Sequence, residues 1–75
     1  MRVILANDDP FGNNFRVTDT NAENMEIYSG HIAGNQQINI ECRENDSGYG
    51  NIITFQDNNP GIGRPFLKDG ERISL

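Results

Sequence analysis

Residues 26–43 read EIYSGHIAGNQQINIECR, and their pattern decides the fold class. Apolar and polar residues alternate on both sides of Gly34-Asn35, the period of a half-buried strand, and that pair suits a two-residue type II′ turn with Gly at the first central position. Reversing the chain there predicts a hairpin in which Ala33 faces Gln36, His31 pairs with Ile38, Ser29 with Ile40 and Ile27 with Cys42. The other face then holds Ile32 with Gln37, Tyr28 with Glu41 and Glu26 with Arg43, the last an opposite-charge pair across the ladder. The first face is also the more apolar, so charge and patterning select one register. A four-residue loop at Asn45-Asp46-Ser47-Gly48 extends it, placing Glu44 opposite Tyr49, Cys42 opposite Asn51, Ile40 opposite Ile53 and Ile38 opposite Phe55. One face is thereby expected to collect Ile27, Ile38, Ile40, Cys42, Ile53 and Phe55.

Working outward, Arg2–Ala6 is a continuous apolar run suited to a strand covered on both faces. Phe15–Thr20 alternates Phe15, Val17 and Asp19 against Arg16, Thr18 and Thr20. Pro65–Leu67 and Glu71–Leu75 flank Lys68-Asp69-Gly70, a hairpin turn with Asp-Gly at its tip. Eight glycines and three prolines interrupt every window long enough for a helix, and only one turn at Thr20–Met25, capped by Asn21, is expected. The fold class is therefore all-β: a single small domain over residues 1–75, an antiparallel meander of five to six short strands closing as a compact barrel or sandwich.

Size and composition narrow the function classes. A chain of 75 residues buries only about 60% of its unfolded surface, which makes self-association an expected source of extra stability. One cysteine excludes an internal disulfide, and one histidine beside it gives no ligand set for structural zinc. A net charge of −5, with six basic residues spread from Arg2 to Arg72, offers no stripe for a phosphate backbone, so direct nucleic-acid binding is not expected. No apolar run approaches the roughly 20 residues of a membrane span, and no secretory signal is expected. The expected location is cytoplasmic or particle-associated.

The opening Met1-Arg2-Val3-Ile4-Leu5-Ala6-Asn7-Asp8-Asp9 resembles the start of the SurE-type survival nucleotidases, in which an apolar first strand ends in Asn-Asp-Asp and the two acids hold a divalent metal. The resemblance implies metal ligands at Asp8 and Asp9 within an α/β domain. It covers nine residues, and Pro10 stands where that family has Gly. Read locally, Asn-Asp-Asp-Pro is a turn whose side chains bond their own backbone. Asp19-x-Asn21-x-Glu23 has the oxygen spacing that opens an EF-hand loop, but Asn24 and Gly30 stand where that loop needs Gly and a bidentate Glu. A shallower calcium site from Asp19, Asn21, Asp46 or Asp57 is the alternative.

His31 with Ser29 is the one candidate pair for acid-base or nucleophilic chemistry, yet the hairpin register sets His31 against Ile38 as a packing residue and suggests no third member. Cys42 falls inward without a basic neighbour and reads as an inert core thiol. No enzymatic activity and no cofactor are expected. The stretch Asp57–Pro65 holds a Gly-x-Gly that no helix follows, so it is not a phosphate loop. It does gather Asn59, Ile62 and Arg64 near Phe66, and arginine with aromatics suits the centre of a protein contact.

The expected function is a non-enzymatic interaction or structural module, forming a homo-oligomer or adding to a larger assembly such as a phage-like particle. One alternative is an acidic decoy for a basic nucleic-acid-handling protein, using Asp8, Asp9, Asp19, Glu23, Glu26, Asp46 and Asp57. Another is a calcium- or carbohydrate-binding β module built on Tyr28, Tyr49 and the Asn side chains.

Overall fold

The computed structural model describes residues 1–75 as seven strands: β1 (Arg2–Asn7), β2 (Asn13–Asp19), β3 (Met25–Ile32), β4 (Gln36–Glu41), β5 (Gly50–Gln56), β6 (Ile62–Leu67) and β7 (Arg72–Ser74). A single 3-10 turn occupies Thr20–Ala22. The strands form two sheets, one in the order β4-β1-β7 and the other β3-β2-β5-β6, which face each other as a sandwich. The apolar run becomes the central strand of the smaller sheet. Val3 and Leu5 point inward and are fully buried, while Ala6 is buried and Ile4 half-buried on the other face.

Between the sheets, Val3, Leu5, Ile40 and Ile73 meet Val17, Ile52 and Leu67, with Cys42 just beyond β4. Full burial of such aliphatic side chains is worth about 1.5–3 kcal/mol each, so this small cluster carries much of the fold.

The all-β class and sandwich closure stand, but partner choice differs from the meander of adjacent strands. β1 pairs antiparallel with β4 and parallel with β7, and β2 lies between β3 and β5. The expected pairs His31/Ile38, Ser29/Ile40 and Ile27/Cys42 do not form, because β3 and β4 belong to different sheets. The turn between them explains the divergence. Gln36 N–H donates to Ala33 C=O at 3.2 Å as foreseen, yet the left-handed residue is Asn35 (φ 60°), at the second central position. A type II′ turn needs positive φ at the first; an unprimed turn splays its two strands.

This end of the sandwich is then locked from outside the hairpin. Asn35 N–H donates to Asp9 C=O at 2.9 Å, and Gly34 lies so close to the Pro10 carbonyl that a Cβ there would collide with it. The buried Asn7 amide donates to the carbonyls of Phe11, Ile32 and Ala33 at 2.9, 3.0 and 3.3 Å.

The same separation recurs twice. After β4, Glu44 bridges Gly50 instead of Tyr49, and β5 then joins the larger sheet. Paired with β2, β5 turns Gly50, Ile52 and Thr54 inward; Ile53 and Phe55, expected in the core, lie on the outer face opposite Thr18 and Arg16. The Arg16 guanidinium sits 4.1 Å over the Phe55 ring, covering apolar surface by cation–π contact. At the final turn, Glu71 N–H donates to Lys68 C=O at 3.0 Å, but β6 and β7 part. Gly70 N–H donates to Arg2 C=O at 2.7 Å and Arg2 N–H to Asp69 Oδ1 at 2.8 Å, which starts β7 on β1.

One turn of helix follows β2 as expected, with a different cap. The Asp19 carboxylate accepts Asn21 N–H at 3.1 Å, so Asp19 is the N-cap and Asn21 lies inside the turn. A bulge between Val17 and Thr18 sets Val17 opposite Tyr28 and Thr18 opposite Glu26, leaving Ile27 as the extra residue.

Candidate functional site

Edge strand β6 carries the features that solvent should otherwise have selected against. Ile62 and Phe66 are 55% and 72% exposed, although both are large apolar residues on a sheet edge. Phe66 is held outward by the backbone. Gly50 pairs with Leu67 and Ile52 with Arg64, so Asn51 faces both Pro65 and Phe66, and Phe66 takes up the bulge at φ 59°. A bulky side chain in the left-handed region costs about 1–2 kcal/mol. Edge-to-face contact with Tyr49, ring centroids 5.8 Å apart at 86°, offsets part of that cost. Pro65 removes a backbone donor beside the bulge, which blunts this half of the edge against strand addition.

Asn59, Ile62 and Arg64 come together around one depression at the β5–β6 end of the sandwich, whereas Phe66 lies at the far end of β6 against Tyr49. Phe15, Phe55, Pro60, Ile62 and Leu75 form its apolar walls. Its volume of about 60 Å³ accommodates a small side chain, not a cofactor, for which pockets begin at roughly 300 Å³. Arg64 lies at the rim, half-buried, its Nε–H donating to Thr54 Oγ1 at 3.3 Å. The molecule's three ion pairs use the Met1 ammonium, Arg16 and Arg72, so Arg64 has no carboxylate partner. A more open cleft of about 400 Å³ runs between β6 and β7, past Arg64, Leu67, Glu71 and Arg72.

The acids singled out in the sequence do not converge. Asp8 accepts both Arg72 Nη atoms, at 2.6 and 3.2 Å, and the Ser74 hydroxyl at 2.6 Å. The Arg72 hydrogen bond, then that of Ser74, holds the Asp8 carboxyl below its ordinary value, and Asp8 raises Arg72 in return. The Asn7-Asp8-Asp9 segment is thus a strand end tied to β7, with Asn7 Oδ1 accepting Asp9 N–H at 3.2 Å. Asp19 spends both oxygens on backbone N–H groups, and Asp57 Oδ1 accepts Asn14 N–H at 3.3 Å. No group of three or more His, Cys, Asp or Glu side chains is placed to hold a metal ion.

His31 is exposed on β3 and pairs with Asn14 instead of Ile38, and Ser29 is exposed on the same strand. Cys42 is a buried free thiol, pushed up first by burial and then by the charge of Asp19. Phe11 and Met25, 76% and 61% exposed, escaped the sequence reading. Phe11 follows Pro10 at a loop tip, where no alternation marks a side chain as inward or outward. No helix is long and apolar enough to cross a membrane. Comparison of the chain with protein-family models, with curated proteins and with solved structures gives no match.

Proposed function

We propose that this chain is a non-enzymatic protein-interaction or structural module, forming a homo-oligomer or adding to a larger assembly. The observation that carries the reading is the pair of exposed apolar side chains on edge strand β6, Ile62 and Phe66, the second presented by a strained bulge. Strain held at an exposed aromatic is the kind of feature that a contact recovers. Marginal size adds weight, since 16 of 75 residues are buried in the isolated chain and association would bury more. Asn59 and Arg64 supply a polar rim beside Ile62.

The acidic-decoy reading has less support, because Asp19 is buried and Asp8 and Glu26 are paired with arginines. Three of the seven acids in that pattern are therefore committed within the fold. The calcium reading loses Asp19 for the same reason.

Light scattering across about a hundredfold dilution at two salt concentrations tests the proposal, combined with pull-downs using the immobilised chain. We expect a complex that persists at high salt and is lost in Ile62→Asp or Phe66→Asp while the β-sheet circular dichroism is unchanged. A complex surviving in both variants, or a monomer that captures no protein, overturns the reading.

A further inference from the structure

We infer that the depression at Arg64 receives a carboxylate side chain flanked by small aliphatic residues, presented by an extended segment of a partner protein. This rests on the interaction-module reading and specifies the chemistry of one contact within it. Arg64 is the one basic residue of six that is not exposed, and it has no acid partner. Its Nε–H is fixed on Thr54 Oγ1, which in turn donates to Ile62 C=O at 3.5 Å, so the guanidinium is oriented before any partner arrives.

Charge complementarity selects the occupant. In a chain with eleven acidic residues, the walls of this depression contain none; they are apolar side chains with Thr54, Gln56 and Asn59 as neutral polar groups. A guanidinium with its two Nη groups unpaired beside apolar walls is complementary to a planar carboxylate with adjoining methyl groups. The volume, about 60 Å³, takes one flanking aliphatic side chain, which sets the carboxylate at the rim beside Arg64.

The test is an NMR titration of the ¹⁵N-labelled full chain with two blocked tripeptides, acetyl-Val-Glu-Val-amide and its Val-Gln-Val counterpart. We expect the Glu peptide to shift the Thr54, Ile62 and Arg64 amides and to bind about tenfold more tightly than the Gln peptide. Arg64→Gln should erase that difference, and Arg64→Lys should retain part of it. Equal binding of the two peptides, a preference unchanged in Arg64→Gln, or shifts centred on Lys68 and Arg72 would overturn the inference. Dissociation of a homo-oligomer by the Glu peptide would overturn the separate partner and assign the depression to a second copy. Loss of association in Ile62→Asp without any Glu preference leaves the module reading intact and removes only the carboxylate.

Discussion

Asp19 and Arg43, 24 residues apart, are joined by one charged hydrogen bond: the buried carboxylate accepts the Arg43 backbone N–H at 2.7 Å. The other oxygen of Asp19 caps the 3-10 turn, and Asn21 Nδ2 donates to the carbonyls of Arg43 and Tyr49 at 2.9 and 3.1 Å. One side chain thereby ties the end of β2 to the segment leaving β4, and so one sheet to the other. Asp19→Ala would leave a partly buried N–H without its acceptor and remove a cap. The expected loss is about 2–4 kcal/mol. Thermal denaturation should show a fall of about 10 °C or more for a domain of this size.

The inward face of β5 is settled by comparing neighbours. Ile52 is fully buried against the smaller sheet, while Ile53 is half-buried on the outside. Urea titration should give a loss of about 2–5 kcal/mol for Ile52→Ala and below about 1.5 kcal/mol for Ile53→Ala. The reverse order would mean that β5 faces the core with the other set of residues.

Acid should act through Asp8. Its carboxyl is held below the ordinary value of 3.8 by Arg72 and Ser74, so the folded state binds that proton less readily than the unfolded chain. The stabilisation is present above the ordinary value and is lost as pH falls through the lowered one. Asp8→Asn should therefore flatten the decline in stability as pH falls below about 4, measured by urea midpoints. At neutral pH the variant should be the less stable of the two.

Cys42 titrates with the opposite sense. Its pKa is raised above 9.0 by burial and by the charge of Asp19, so the thiol form is favoured in the folded state. That contribution is whole below pH 9.0 and is lost as pH rises through the folded-state value. A disulfide reagent should label the native chain about 100-fold more slowly than the chain in guanidinium, because labelling waits on opening. Rapid native labelling would mean that the end of β4 is frayed.

Much of the local structure was legible in the sequence. The apolar run at Arg2–Ala6, the turns at Gly34-Asn35 and Lys68-Asp69-Gly70, the strand at Phe15–Asp19 and the burial of Ile40 and Cys42 follow from two-residue periodicity and turn chemistry. Asn59, Ile62 and Arg64 line one depression because a short loop keeps sequence neighbours together, whereas Phe66, grouped with them in the sequence, packs against Tyr49 at the other end of β6.

What tertiary structure alone decided is which strand pairs with which, and what lies opposite each face. Period-two patterning marks a strand and its two sides but carries no address for its partner. Here the address is written in distant hydrogen bonds, Asn7 to Ile32, Asp19 to Arg43 and Arg2 to Asp69, and in an Asn35 turn that splays its strands. The outward aim of Phe66 has the same origin, since it depends on a bulge opposite Asn51 that exists only once β5 and β6 have met. The sequence determined that this chain is β and where it turns; pairing between remote segments determined which faces became core and which side chains were left exposed.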